Sequence, residues 1–261
     1  SEKDAKLYPA WKPETVESVR RELESFVGGV VDAEGGLKAL LTDTTVHADA
    51  NLAALYGLPA AGKAAVAQRP GVLSRAFFLA SHAHSRNGSP PLRGHAIMER
   101  VFCATLPPPP DDADTSNPAD AADASKFTNR ELFERRIAPS DCNACHVVMD
   151  AFAYPLEVYD AVGGHRTTDN GKPVRTETTL SGTDIDGGYP DLTAMASAMT
   201  GSEQVGVCMG QHLATWALGR KLDLETAPDT CLRDSLGAAL ARDESFVSVL
   251  GTLAVAVASA D

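Results

Sequence analysis

Apolar positions in this chain recur mostly at helical spacing. Between residues 13 and 31, Val16, Val19, Leu23, Phe26, Val27 and Val30 fall on one 3.6-residue stripe. They predict a helix with Thr15 as its cap and Gly28-Gly29 inside its last turn. Short helices are expected over 36–41 and 48–56, the second stopped by Gly57 and Pro59. A stronger helix is predicted over 71–84, ending in the turn-rich run Ser85-Arg86-Asn87-Gly88-Ser89-Pro90-Pro91. Another over 92–104 is halted by the prolines at 107–110.

The pattern then lapses. Residues 106–125 read LPPPPDDADTSNPADAADAS, proline-rich, acidic and almost without large apolar side chains. Such a stretch cannot offset its own ordering entropy and is expected as a solvated linker or mobile loop. Helical spacing returns over 127–137, with Thr128 as cap, and again over 191–200, 203–218, 225–242 and 244–258. Gly219 is placed to end the third of these five helices. Residues 174–180 alternate and are β-branched, as in one arm of a hairpin. The expected fold is mainly α: a helical domain over 1–105, a Pro/Asp-rich linker over 106–126 and a second helical domain over 127–261.

With 261 residues the chain can bury a sizeable core. No apolar run reaches the ~18 residues that a membrane span needs. A net charge of −12 argues against nucleic acid as a partner, because phosphate binding calls for a basic patch. The amino-terminal Ser-Glu-Lys-Asp shows no secretory pattern, which carries no weight in a mature form or a fragment. Five cysteines cannot all pair with one another.

Two of those cysteines carry the chemistry. Cys142-Asn143-Ala144-Cys145-His146 is C-x-x-C-H. Two thiols at this spacing can add across the two vinyl groups of a porphyrin, while the next residue projects an imidazole from the same turn onto the iron. With this composition, chance supplies on the order of 0.003 such matches per chain. A structural zinc site would need two further ligands at paired spacing. A redox C-x-x-C would be expected after a strand in a βαβ setting. Residues 127–261 are therefore expected to be a cytochrome c-like helical domain with one covalent haem c, His146 being an axial ligand.

Several blocks around the motif look familiar in combination. They are Leu40-Leu41-Thr42 with 51–58, Arg69-Pro70-Gly71-Val72-Leu73-Ser74, and His82-Ala83-His84 followed by Ser89-Pro90 and Arg93-Gly94. Next come the proline run after Cys103 and the C-x-x-C-H with Met149-Asp150, Leu156-Glu157, Asp160 and Gly163 to Arg166. Last is Cys208 followed by Ala217-Leu218-Gly219-Arg220. Together these blocks resemble the large exported c-type cytochromes of planctomycetes and myxobacteria, which end in cytochrome-associated domains of unknown function. The resemblance implies export to the periplasm or beyond, one haem c, electron-transfer or haem-redox chemistry, and a chain that starts inside a longer architecture. Two positions depart from it: Ala151 and Ala153 replace the usual Pro and Gly, and Arg136 stands where a His is frequent.

Outside the reducing cytoplasm disulfides persist, so Cys208 and Cys231 are expected to pair, leaving Cys103 as a small buried residue. Arg93 and Arg166 are candidates for the haem propionates, or else for structural ion pairs. Met149 is expected as pocket wall, and Met195 and Met199 as core. Asp184 and Asp186 lack a Ca²⁺-loop pattern and read as a turn. For the second iron ligand His84 is the candidate, because Leu73, Phe77, Ala80 and His84 form one helical stripe whereas His82 points elsewhere. Three functions compete. The first is an electron-transfer module serving a redox partner protein or upstream domains of a longer chain. The second is a haem enzyme of peroxidase or oxidase type with an open distal position. The third is a haem-stapled structural module.

Overall fold

The computed structural model describes residues 2–108, 110–111, 116–138 and 143–258. Helices dominate, and the strands form three two-stranded antiparallel ribbons. The mainly α expectation holds.

Helix α1 (Pro13–Asp32) starts on a proline whose fixed φ suits a first helical position. Thr15 is not its cap: Lys12 holds that place without a side-chain bond, and Thr15 Oγ1 donates to the Ala10 carbonyl at 2.7 Å. Helices α2 (Leu37–Thr42) and α3 (Ala50–Tyr56) follow, the latter capped by Asp49 and stopped by Gly57 at φ 66°. Strands β1 (Thr45–Ala48) and β2 (Gly62–Ala65) pair around α3.

The single helix expected over 71–84 is broken in two. A 3-10 turn (Val72–Ser74) leads to an extended Arg75, and only then does α4 (Ala76–Ser81) begin. The cause is the buried Arg75 side chain. Its guanidinium donates to the carbonyls of Gly71, Arg69 and Asp43, and pairs with the buried Glu22 at 3.1 Å. Helix α5 (Pro90–Val101) is capped by Ser89, and α6 (Asn129–Ile137) opens on a capping box between Thr128 and Glu131. The motif helix α7 (Asn143–Met149) continues into 3-10 turns at Asp150–Phe152 and Tyr154–Val158. Ribbons β3–β4 (Thr168–Asp169 with Lys172–Pro173) and β5–β6 (Thr178–Leu180 with Gly187–Tyr189) come next. Helices α8 (Leu192–Met199), α9 (Glu203–Leu218), α10 (Ala227–Ala241) and α11 (Phe246–Ala258) complete the chain.

The cores join distant stretches of sequence. The largest packs Leu37, Ile97 and Phe102 against Met149, Phe152 and Met195. A second packs Phe26 and Val30 of α1 against Ala214, Leu240 and Leu253 of the last three helices. The stretches before and after the proline-rich segment thus share their cores. Helices α9 and α10 approach closely because their seam is glycine-lined: a Cβ on Gly237 would lie 2.6 Å from Val207 Cα. Among the described residues, no helix is long and apolar enough to cross a membrane.

The disulfide differs from expectation. Cys208 pairs with Cys103, not with Cys231, which is free and exposed on α10. The end of α5 lies against α9, bringing the two Cα atoms to 5.3 Å, inside the range a disulfide can span.

Candidate functional site

The C-x-x-C-H motif spans the start of α7. Cys142 lies outside the described residues. Cys145 is a free, exposed thiol, and Asn143, Ala144 and Val147 share that exposure, Val147 at 57%. The other end of the helix is anchored. Met149 is buried in the largest core, and Asp150 is fully buried behind it. Helix α5 crosses at this point through Gly94, where a Cβ would sit 2.0 Å from the Met149 carbonyl oxygen.

His146 lies between the open and the buried ends, its side chain 27% exposed. Its Nδ1 is 3.1 Å from each carboxylate oxygen of Asp150, one helical turn on. An N–H at Nδ1 donates to that carboxylate and fixes the ring's tautomer and tilt, leaving the Nε2 lone pair to bind. Burial raises the Asp150 carboxyl above its ordinary value, and the His146 contact offsets only part of that rise.

A covalent haem at this motif needs free thiols, an imidazole with one ring nitrogen held and the other available, and a face not packed into a core. The described part meets these needs: a free Cys145, a His146 held at Nδ1, and an exposed motif surface.

The other residues singled out from sequence are placed as follows. Arg93 is fully buried and clamps the chain. It donates to the carbonyls of Leu156 (3.0 Å), Tyr159 (3.2 Å), Leu79 (3.4 Å) and Asp160 (2.8 Å). Its Nε is unpaired among the described residues. Burial lowers the Arg93 pKa to about 10. Arg166 pairs with Glu157 at 3.4 Å and Asp169 at 2.7 Å. Both guanidiniums have protein partners in this structure, as the structural reading expects.

His84 follows α4 instead of ending it, and the stripe that singled it out dissolves. Phe77 is 42% exposed, while Ala76, Leu79 and Ala80 are buried. The His84 ring stacks on Phe133 of α6 at 6.4 Å between centroids. Desolvation lowers its pKa, favouring the neutral imidazole. The segment before it is fastened by Lys3, whose Nζ donates to the Ala80, Ala83 and His84 carbonyls. His82 bonds the Phe78 carbonyl through Nδ1 at 2.8 Å. Met195 and Met199 are fully buried core residues. Asp186 accepts the Gly182 and Thr183 amides, and Asp184 accepts from Ser202 and Gln204, so the 182–186 stretch is a turn. Arg136, at the position where the resemblance offers a His, donates to the Ser116 carbonyl.

Among the described residues, one grouping has metal-site dimensions: Cys103, Cys208 and His212 gather within 4.8 Å. The two sulfurs are already bonded to each other, and His212 Nε2 is 3.0 Å from the Arg100 carbonyl oxygen. As it stands this is a disulfide with a neighbouring imidazole, not an open ligand set.

Asp150 is the site residue that sequence reasoning quoted without assigning a role. Its position four after His146 carried the signal, since carboxylates at that spacing can hold a ligating imidazole.

Two family models match parts of the chain. Residues 69–169 match PSCyt3, a protein of unknown function (DUF1588). Residues 1–58 match PSD4, likewise of unknown function (DUF1592). These are the cytochrome-associated domains of planctomycete-type cytochromes. The first match contains the whole C-x-x-C-H motif with Asp150, and neither extends past residue 169. No curated protein and no solved structure matches the chain.

Proposed function

We propose that this chain is a c-type cytochrome module carrying one haem, serving electron transfer outside the cytoplasm. The observation that carries this reading is the motif helix itself. It has a free exposed thiol at Cys145, an imidazole at His146 whose Nδ1 is already held, and an anchored C-terminal end. Cys142 and Cys145 would hold the group through thioethers, and His146 Nε2 would be its axial donor. When bound, the haem supplies one-electron redox chemistry. The chain's residues supply the geometry: Asp150 orients the ring, and the Gly94 crossing fixes the turn that carries Asp150. The Cys103–Cys208 bridge supports an oxidising compartment. The partner would be a redox protein or upstream domains of a longer chain. His84 would be the candidate for a second protein donor to the group, its ring stacked on Phe133 and kept neutral by desolvation.

Absorption spectra of the oxidised and reduced protein, with and without carbon monoxide, test this reading. A low-spin spectrum that carbon monoxide leaves unchanged is expected for electron transfer. Rapid carbon monoxide binding would replace it with a haem enzyme whose distal position is open.

A further inference from the structure

We propose that the buried Asp150 carboxylate holds the iron's axial imidazole in an electron-rich state and so biases the haem toward its oxidised form. This rests on the haem reading above. It adds a positioning residue whose effect can be measured apart from haem attachment.

Asp150 is fully buried, and both its oxygens face the same ring nitrogen at 3.1 Å. Among the described residues no second donor reaches this carboxylate, so no arginine or backbone amide shares its charge. The other buried acids among the described residues are served differently: Glu22 is met by Arg75, Glu157 by Asn129 and Arg166, and Asp229 by Arg220. A charge with one hydrogen-bonding partner in a low-dielectric surround acts strongly on that partner. A hydrogen bond from Nδ1–H to a carboxylate makes the imidazole a stronger donor through its other nitrogen. A stronger donor favours the ferric over the ferrous state, which lowers the reduction potential.

The second element is rigidity. Asp150 opens a 3-10 turn directly after the helix that carries His146, so its backbone continues the helix's own. On the far side, a Cβ at Gly94 would come within 3.4 Å of Asp150 Cα. The Thr178 hydroxyl ties the next residue by donating to the Ala151 carbonyl at 2.7 Å. The backbone that carries the carboxylate is therefore held on two sides, and the carboxylate itself by its bond to the ring.

The test uses the full chain with covalently attached haem. The midpoint potential is measured by redox titration for the unsubstituted protein, for Asp150→Asn and for Met149→Leu. Asp150→Asn keeps the side chain's shape and removes its charge. Met149→Leu perturbs the same packing with no change of charge. The inference expects the potential to move to a more positive value in Asp150→Asn and to stay in place in Met149→Leu. An unmoved potential in a haem-loaded Asp150→Asn, or equal shifts in both variants, would overturn it while leaving the haem reading intact. Should Asp150→Asn fail to fold or load, the unsubstituted protein decides. Its redox-induced infrared difference spectrum, recorded with ¹³C-labelled aspartate, should show an isotope-sensitive carboxylate band. A difference spectrum without one would overturn the inference. An unsubstituted protein that takes up no covalent haem would instead remove the reading on which the inference stands.

Discussion

Cys103, two residues past the end of α5, is bonded to Cys208 within α9, closing a loop of 105 residues. By the chain-entropy account, a bridge over such a loop is worth about 4–5 kcal/mol. Replacing both cysteines by serine should lower unfolding stability by several kcal/mol, measured by urea titration. Alkylation before any reduction should label Cys231 and spare Cys103 and Cys208. Labelling of Cys208 at that stage would break the assignment.

Gly94→Ala tests the seat of the motif helix. A methyl there meets the Met149 carbonyl at 2.0 Å, and a backbone oxygen cannot turn aside as a flexible side chain could. The substitution should cost about 1–3 kcal/mol. In the haem-loaded protein it should also shift the absorption spectrum, since the backbone that must move carries Asp150. Gly57→Ala is a useful control: its loss should come from the positive φ alone, with the spectrum unaltered.

Much of the helical frame was legible because its signals are local. The span 203–218 ends where Gly219 adopts φ 63°, and Thr128 forms the capping box its neighbours imply. The break at Arg75 was not legible, because periodicity does not register a guanidinium that leaves its helix to bind Glu22 and Asp43, 53 and 32 residues away, together with the nearby Gly71 and Arg69 carbonyls. Strand β2 was invisible for another reason: all four of its residues are exposed, so no alternation marks it. At the site, the C-x-x-C-H spacing is a local signal and was read directly. The contacts of Arg93 were not, since its buried guanidinium chooses among acceptors that lie far off in sequence, whereas Arg166 makes one of the ion pairs its sequence reading left open, with nearby Glu157 and Asp169. The partner of Cys208 depends likewise on how α5 meets α9.

Arg93 is expected to be a stability residue. Arg93→Lys replaces a planar fork serving four carbonyls with one ammonium that cannot span them. A loss of at least about 2 kcal/mol is expected, because buried acceptors are left unmet. Chemical denaturation of the haem-free chain reads this directly. An undiminished stability there, with a changed haem spectrum in the loaded protein, would return Arg93 to the propionate role.

Asp229 gives a pH prediction of definite sign. Arg220, just past the end of α9, grips the Asp229 carboxylate with two N–H groups at 2.6 and 2.9 Å, and the Asp223 amide adds a third bond at 2.6 Å. These contacts hold the Asp229 pKa down at about 2, below its value in the unfolded chain. A depressed acid contributes stability above the unfolded pKa and loses it as pH falls through the folded one. Thermal midpoints of the native chain and of Asp229→Asn should therefore converge between about pH 4 and pH 2. A constant gap across that window would show that the pair is not coupled to folding.

Covalent haem at the α7 motif is tested most directly by the intact mass of the full chain under denaturing conditions. The protein should be produced with export and haem-attachment machinery that loads a control cytochrome in the same cells. The predicted result is a polypeptide carrying the mass of one haem that acid–acetone does not extract, and that is lost when Cys142 and Cys145 are both replaced by alanine. The bare polypeptide mass, with Cys142 and Cys145 open to alkylation while the control is fully loaded, would contradict it.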